Sequence, residues 1–165
     1  MIPAPERRIL VAGIGNIFRT DDGFGSEVAR RLLGIPWPDG VRVVDYGIRG
    51  LHLAHDLLDD WDAVVLVDAL PPRGGVGSIV LLDIGSETPP ESAGVDAHAM
   101  DPASVLATLA SLGGRLPPRA LLVGCPVADT GDGMGLTPEV EAAVDEAVRA
   151  VRDLVADLLR AAEVA

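Results

Sequence analysis

The sequence predicts an α/β domain with a mostly parallel sheet, and three observations carry that prediction. Strand-like and helix-like segments alternate in the order β-α-β-α-β-β-α-β-α. The third strand-like segment, AVVLVD, is apolar almost throughout, as a strand covered on both faces is. The chain has 165 residues, 48% of them apolar, enough for one domain with a sizeable core. No repeat, linker or low-complexity tract divides it, so residues 1–165 read as a single domain.

Each element has a local reason. Arg8 to Gly13 (RILVAG) reads as a buried strand ending in a glycine turn. Phe24 to Leu33 reads as a helix, with Phe24, Val28 and Leu32 on one face. Val41 to Asp45 is the second strand, and Leu51 to Leu58 a short helix after the turn GIRG. Ala63 to Asp68 and Ser78 to Ile84 are the third and fourth strands. Their link, ALPPRGGVG, has nine residues with two Pro and three Gly. A parallel crossover needs about a dozen residues or more, so the fourth strand is expected antiparallel to the third. Gly85 to Ala99 is polar and reads as a long loop. Asp101 then caps a helix that begins at Pro102 and carries Val105, Leu106, Leu109 and Leu112. Arg119 to Cys125 is the fifth strand. Thr137 caps the last helix, with Pro138 in its first turn and a stripe of Val140, Val144, Val148, Val151, Val155 and Leu158. Glu139, Glu141 and Asp145 lie early in that helix and Arg149, Arg152 and Arg160 late, which complements its dipole.

Charge excludes some partners. The formal net charge is -12, and all thirteen basic residues are Arg. An acidic chain without a basic cluster is a poor match for nucleic acid or an anionic membrane. Cys125 is the only cysteine, so no intrachain disulfide forms, in keeping with a reducing compartment. The run ILVAGI after Arg7 and Arg8 is too short for a signal peptide core, and no segment approaches the ~20 apolar residues of a membrane span. A soluble, cytoplasmic protein is expected, acting as a monomer.

Open parallel sheets bind ligands beyond the carboxyl ends of their strands. There the stretch GIGNIFRTDDGFGSE, Gly13 to Glu27, opens like a phosphate loop. However, the third position of a dinucleotide fingerprint is Phe18 rather than Gly, although Asp45 resembles a ribose ligand. Asp21 and Asp22 precede the helix N-terminus that would receive pyrophosphate and repel it. A cation suits them better. Asp68 ends the third strand and His98 lies in the following loop, DAHAM. Two carboxylates and an imidazole form an open site for a divalent transition metal. Taken singly, these residues have bland uses. Either aspartate of the pair can cap the first helix, strand ends often carry Asp, and a loop His is usually solvated. Their joint placement at the ligand edge favours function. His52 and His55 read as surface residues, and Cys125 as core rather than nucleophile. No G-x-S-x-G elbow is present, which argues against a serine hydrolase of the α/β type.

GIGNIFRTDDGFG resembles the N-terminal signature of the hydrogenase maturation endopeptidases, G-x-G-N followed by D-[DE]-G-x-G. DYGIRG resembles their D-x-G-x-x-G, VLVDA their third strand, and DAHAM their loop histidine. VGCPVADTGDGMGLTPEV resembles their closing segment. These matches run in order over nearly the whole chain. The resemblance implies a three-layer α/β/α sandwich with a five-stranded sheet of order 2-1-3-5-4, strand four antiparallel. It implies an endopeptidase that trims the C-terminal extension of a nickel-iron hydrogenase large-subunit precursor after nickel insertion. The family's metal-binding positions fall on Asp22, Asp68 and His98, the metal being the nickel of the substrate, with another divalent ion possible in isolation. Asp21 and Asp45 are candidates for supporting or base roles. Two other readings stay open: a related metal-dependent peptidase or amide hydrolase, and a module that binds the precursor without cutting it. Gly13, Gly15, Gly47 and Gly50 are expected to serve turns around the site, and Asn16, the only asparagine, to occupy a turn or bond the neighbouring loop.

Overall fold

The computed structural model describes residues 6–72, 74–85 and 102–161. The elements are β1 (Ile9–Ile14), a 3-10 turn (Thr20–Gly23), α1 (Phe24–Leu33), β2 (Val41–Gly47), α2 (Gly50–Asp56), β3 (Ala63–Leu70), β4 (Val80–Asp83), α3 (Pro102–Ser111), β5 (Arg119–Pro126) and α4 (Pro138–Ala161). The five strands form one sheet of order β2-β1-β3-β5-β4. β1 pairs in parallel with β2 and β3, β3 in parallel with β5, and β4 antiparallel with β5. The short β3–β4 link therefore has the consequence expected of it. Asp101 and most of the polar loop before it lie outside the described residues.

Alternation along the strands builds two cores. Ile9, Val11, Val65, Val67, Val123 and Cys125 meet α1 and α4 on one face. Leu10, Ala12, Val64, Leu66, Ala120 and Leu122 meet α2 and α3 on the other. The central strands are apolar on both sides because both sides are covered. Phe24, Val28 and Leu32 are fully buried, as their helical spacing requires. Each such side chain contributes roughly 1.5–3 kcal/mol by leaving water. Outside the core, Arg31 on α1 reaches Glu141 at 2.6 Å and Asp145 at 2.7 Å on α4. These pairs are solvent-exposed, so packing rather than charge holds the two helices together.

Candidate functional site

The loops after β1 and β5 meet at the carboxyl edge of the sheet, and glycines set how closely. A methyl group on Gly25 would fall 2.1 Å from the Ile14 carbonyl oxygen and 2.3 Å from that of Val67. On Gly13 it would fall 2.4 Å from the Gly25 carbonyl, and on Gly15 2.2 Å from the Asp22 carbonyl. All four obstacles are backbone atoms, which no rotamer change removes. The first turn of α1 is thus pressed onto the ends of β1 and β3. This corrects the turn role expected of Gly13 and Gly15: neither has a positive φ, and both are needed for close approach. Gly47, with φ of 56°, does make the turn after β2.

The paired aspartates have different jobs. Neither caps α1, whose N-cap is Gly23 without a side-chain cap. Asp21 is buried, and its carboxylate accepts the Thr137 backbone N–H at 2.7 Å and the Thr137 hydroxyl at 2.9 Å. The Thr137 hydroxyl, expected to cap its own helix, therefore donates to Asp21. Asp22 is only half-buried, and its Oδ2 accepts the Asn16 N–H at 3.1 Å. Asn16 in turn closes its own loop, its Oδ1 accepting the Phe18 N–H at 2.9 Å.

A backbone clamp holds this turn in place. Thr20 N–H donates to Gly133 O at 2.8 Å, Gly133 N–H to Phe18 O at 3.0 Å, and Asp21 N–H to Asp129 O at 3.1 Å. Thr20 has φ of 49°, a strained value for a β-branched residue. Its hydroxyl donates to Gly131 O at 2.8 Å, which helps to hold it there.

Asp68 follows Val67 on β3 and is 6% exposed. Val67 belongs to the α1 face and Leu66 to the α2 face, so alternation puts Asp68 on the side of Leu66. The Gly25 contact with Val67 carries the Asp22 turn to this same strand end. His98, expected as the third ligand, lies outside the described residues. Among the described residues no group of three or more His, Cys, Asp or Glu stands ready for a metal. Asp22, in the turn after β1, and Asp68, near the end of β3, both lie towards the carboxyl edge of the sheet.

Asp45 is half-buried on β2, and its Oδ1 accepts the Gly47 N–H at 3.0 Å. It lines a cleft of about 250 Å³ between the loops after β1 and β2, with Gly15, Asn16, Ile48 and Arg49. A larger cavity of about 350 Å³, beside Trp61 and Arg115, lies at the opposite edge of the sheet, away from Asp22 and Asp68. His52 and His55 are exposed. Cys125 is buried, and burial pushes its thiol up to about 11, a poor nucleophile at neutral pH. Two residues have contacts that the sequence does not announce: Thr137, which reads as a cap, bonds Asp21, and Arg49, in the turn GIRG, bonds the Asp45 and Tyr46 carbonyls. Nothing in a linear motif says that Thr137 meets Asp21 across the fold.

No helix among the described residues is long and apolar enough to cross a membrane. The family model described as hydrogenase maturation protease matches residues 27–154. The hydrogenase 2 maturation protease of Escherichia coli K12 is 30% identical over 146 residues, covering 87% of this chain and 88% of its own. The hydrogenase expression/formation protein HupD of Rhodobacter capsulatus is 34% identical over 156 residues, covering 91% of this chain and 72% of its own. Among solved structures, the hydrogenase maturating endopeptidase HybD from E. coli superposes with a TM-score of 0.75 at 28% identity, covering 91% of this chain and 93% of that one. With a family model spanning most of the chain and relatives matched along nearly all of it, this protein belongs to the hydrogenase maturation protease family.

Proposed function

We propose that this peptidase removes the C-terminal extension of a nickel-iron hydrogenase large-subunit precursor after nickel insertion. In this reading Asp22, Asp68 and His98 contact the nickel carried by the substrate. The observation that supports it is the contact of Gly25 with the Ile14 and Val67 carbonyls, which presses the start of α1, just after Asp22, onto β1 and β3 next to Asp68 in the chain.

Carboxylate and imidazole suit nickel as borderline ligands. Held there, the ion polarises the scissile carbonyl or lowers the pKa of a bound water towards ~7. Asp45 lines the adjoining cleft, its Oδ1 held by the Gly47 N–H, and is the candidate base. Asp21, its carboxylate engaged by Thr137, supports the site by position. Acting on a soluble precursor, the protein works in the cytoplasm as a monomer.

The test is incubation with nickel-loaded and nickel-free precursor, read by mass spectrometry. Loss of the C-terminal peptide from the loaded form alone is expected. Equal cleavage of both forms refutes recognition of the metal, and cleavage of neither refutes the assigned activity.

A further inference from the structure

The cleft between the loops after β1 and β2 carries one cationic side chain, Arg49. Its guanidinium is already aimed. Nε donates to the Tyr46 carbonyl at 3.1 Å and Nη2 to the Asp45 carbonyl at 2.8 Å. Those bonds use two of the five guanidinium N–H donors. Among the described residues Arg49 forms no ion pair; the pairs present involve Arg30, Arg31 and Arg160. The Asp45 carboxylate shares the cleft wall, but its Oδ1 is turned back onto the Gly47 N–H at 3.0 Å. Arg49 is exposed and lines the cleft, so its guanidinium is open to a ligand from solvent. Beside it stand Phe18 and Ile48, 63% and 61% exposed.

We infer that Arg49 is a specificity-determining residue that receives an acidic side chain of the precursor segment flanking the cleaved bond. The inference rests on the proposed endopeptidase reading of the neighbouring site. Three features support it. A planar guanidinium with an open edge matches a carboxylate in bidentate geometry. The two backbone bonds fix its orientation before binding, so little freedom is lost when a ligand arrives. Finally, the chain as a whole is acidic, with net charge -12, so an acidic segment gains attraction only where a cationic side chain such as Arg49 meets it. The exposed apolar rim gives the same segment a surface to lie on.

The experiment measures binding of nickel-loaded precursor to the intact chain, and cleavage in parallel. Arg49→Glu is expected to weaken binding roughly tenfold or more, and Arg49→Gln by less. On the precursor side, acidic residues flanking the cleaved bond are changed to Lys one at a time. One of these should lose affinity for the unaltered chain and regain it with Arg49→Glu. The loss is read on the unaltered protease, and loop damage in an Arg49 variant cannot produce the regain. Unchanged binding by both Arg49 variants overturns the inference, as does a precursor series in which no acidic replacement weakens binding. A chain that binds but never cuts refutes the endopeptidase reading and leaves Arg49 only as a binding contact for an acidic precursor side chain. A chain that does not bind refutes both.

Discussion

The Asp21 carboxylate receives both the backbone N–H and the hydroxyl of Thr137, a residue 116 positions later, and so ties the turn after β1 to the start of α4. The bond is buried at the Asp21 end. Removing the carboxylate leaves the Thr137 N–H without its partner and opens a polar gap. Asp21→Ala should cost about 2 kcal/mol in urea unfolding. Asp21→Asn, which keeps one carbonyl acceptor, should cost less. A loss below about 0.5 kcal/mol for the alanine variant would show that the tether is not structural.

Asp22 differs from Asp21 in what it can lose. Its Oδ2 makes one bond to the Asn16 N–H at 3.1 Å, and the residue is only half-buried. Asp22→Asn should therefore unfold within about 1 kcal/mol of the native chain. Cleavage of nickel-loaded precursor should nevertheless fall on the order of a hundredfold, as for the loss of one charged group that stabilises a transition state. Asp68→Asn should behave alike in cleavage. Undiminished activity in either variant would remove that residue from the site.

Gly25 tests geometry without touching charge. A methyl group there meets two carbonyl oxygens, at 2.1 and 2.3 Å, both backbone. Gly25→Ala must push α1 off the ends of β1 and β3, at a cost of roughly 1–3 kcal/mol in stability. The Asp22 turn moves with it, so activity should drop by more than the lost stability explains at a temperature where the variant is folded. Circular dichroism with a cleavage assay separates the two effects. Normal activity in Gly25→Ala would break the link between this contact and the site.

The fold was legible because its signals are local or nearly so. Apolar strands, the Phe24–Val28–Leu32 stripe and the short link before β4 each act over a few residues. The candidate site was legible only in part. The D-D-G pattern marks Asp21 and Asp22 as a pair, but their division depends on Thr137, which lies far along the chain. The roles of Gly13 and Gly15 were misread for a related reason. A glycine needed for positive φ and one needed for close packing look alike until the neighbouring backbone is in place. The position of Asp68 late in β3 was readable because the apolar run AVVLV before it marks a buried parallel strand. Arg49 was missed because an arginine in a turn carries no sign of which carbonyls will orient it.

Alkaline pH offers a clean test of the interior. The chain has no Lys, one Cys and one Tyr, so few side chains titrate between neutrality and the range of Arg. Burial raises the Cys125 thiol from 9.0 to about 11. Burial also raises the Tyr46 hydroxyl, helped by its hydrogen bond to Asp56 at 2.5 Å. For both groups the native state holds the proton more tightly than the unfolded chain. Their contribution is thus complete below the unfolded pKa and is lost as pH rises through the folded one. Urea unfolding should show stability declining from pH 9 towards 11 through Cys125, with Tyr46 adding to the decline above its unfolded value of 10.0. Cys125→Ala should start about 1–2 kcal/mol lower at neutral pH because of the space it leaves, yet decline less over the pH 9 to 11 window. Tyr46→Phe should flatten the remainder. An identical alkaline slope in the native chain and both variants would mean that neither buried group keeps its proton on folding.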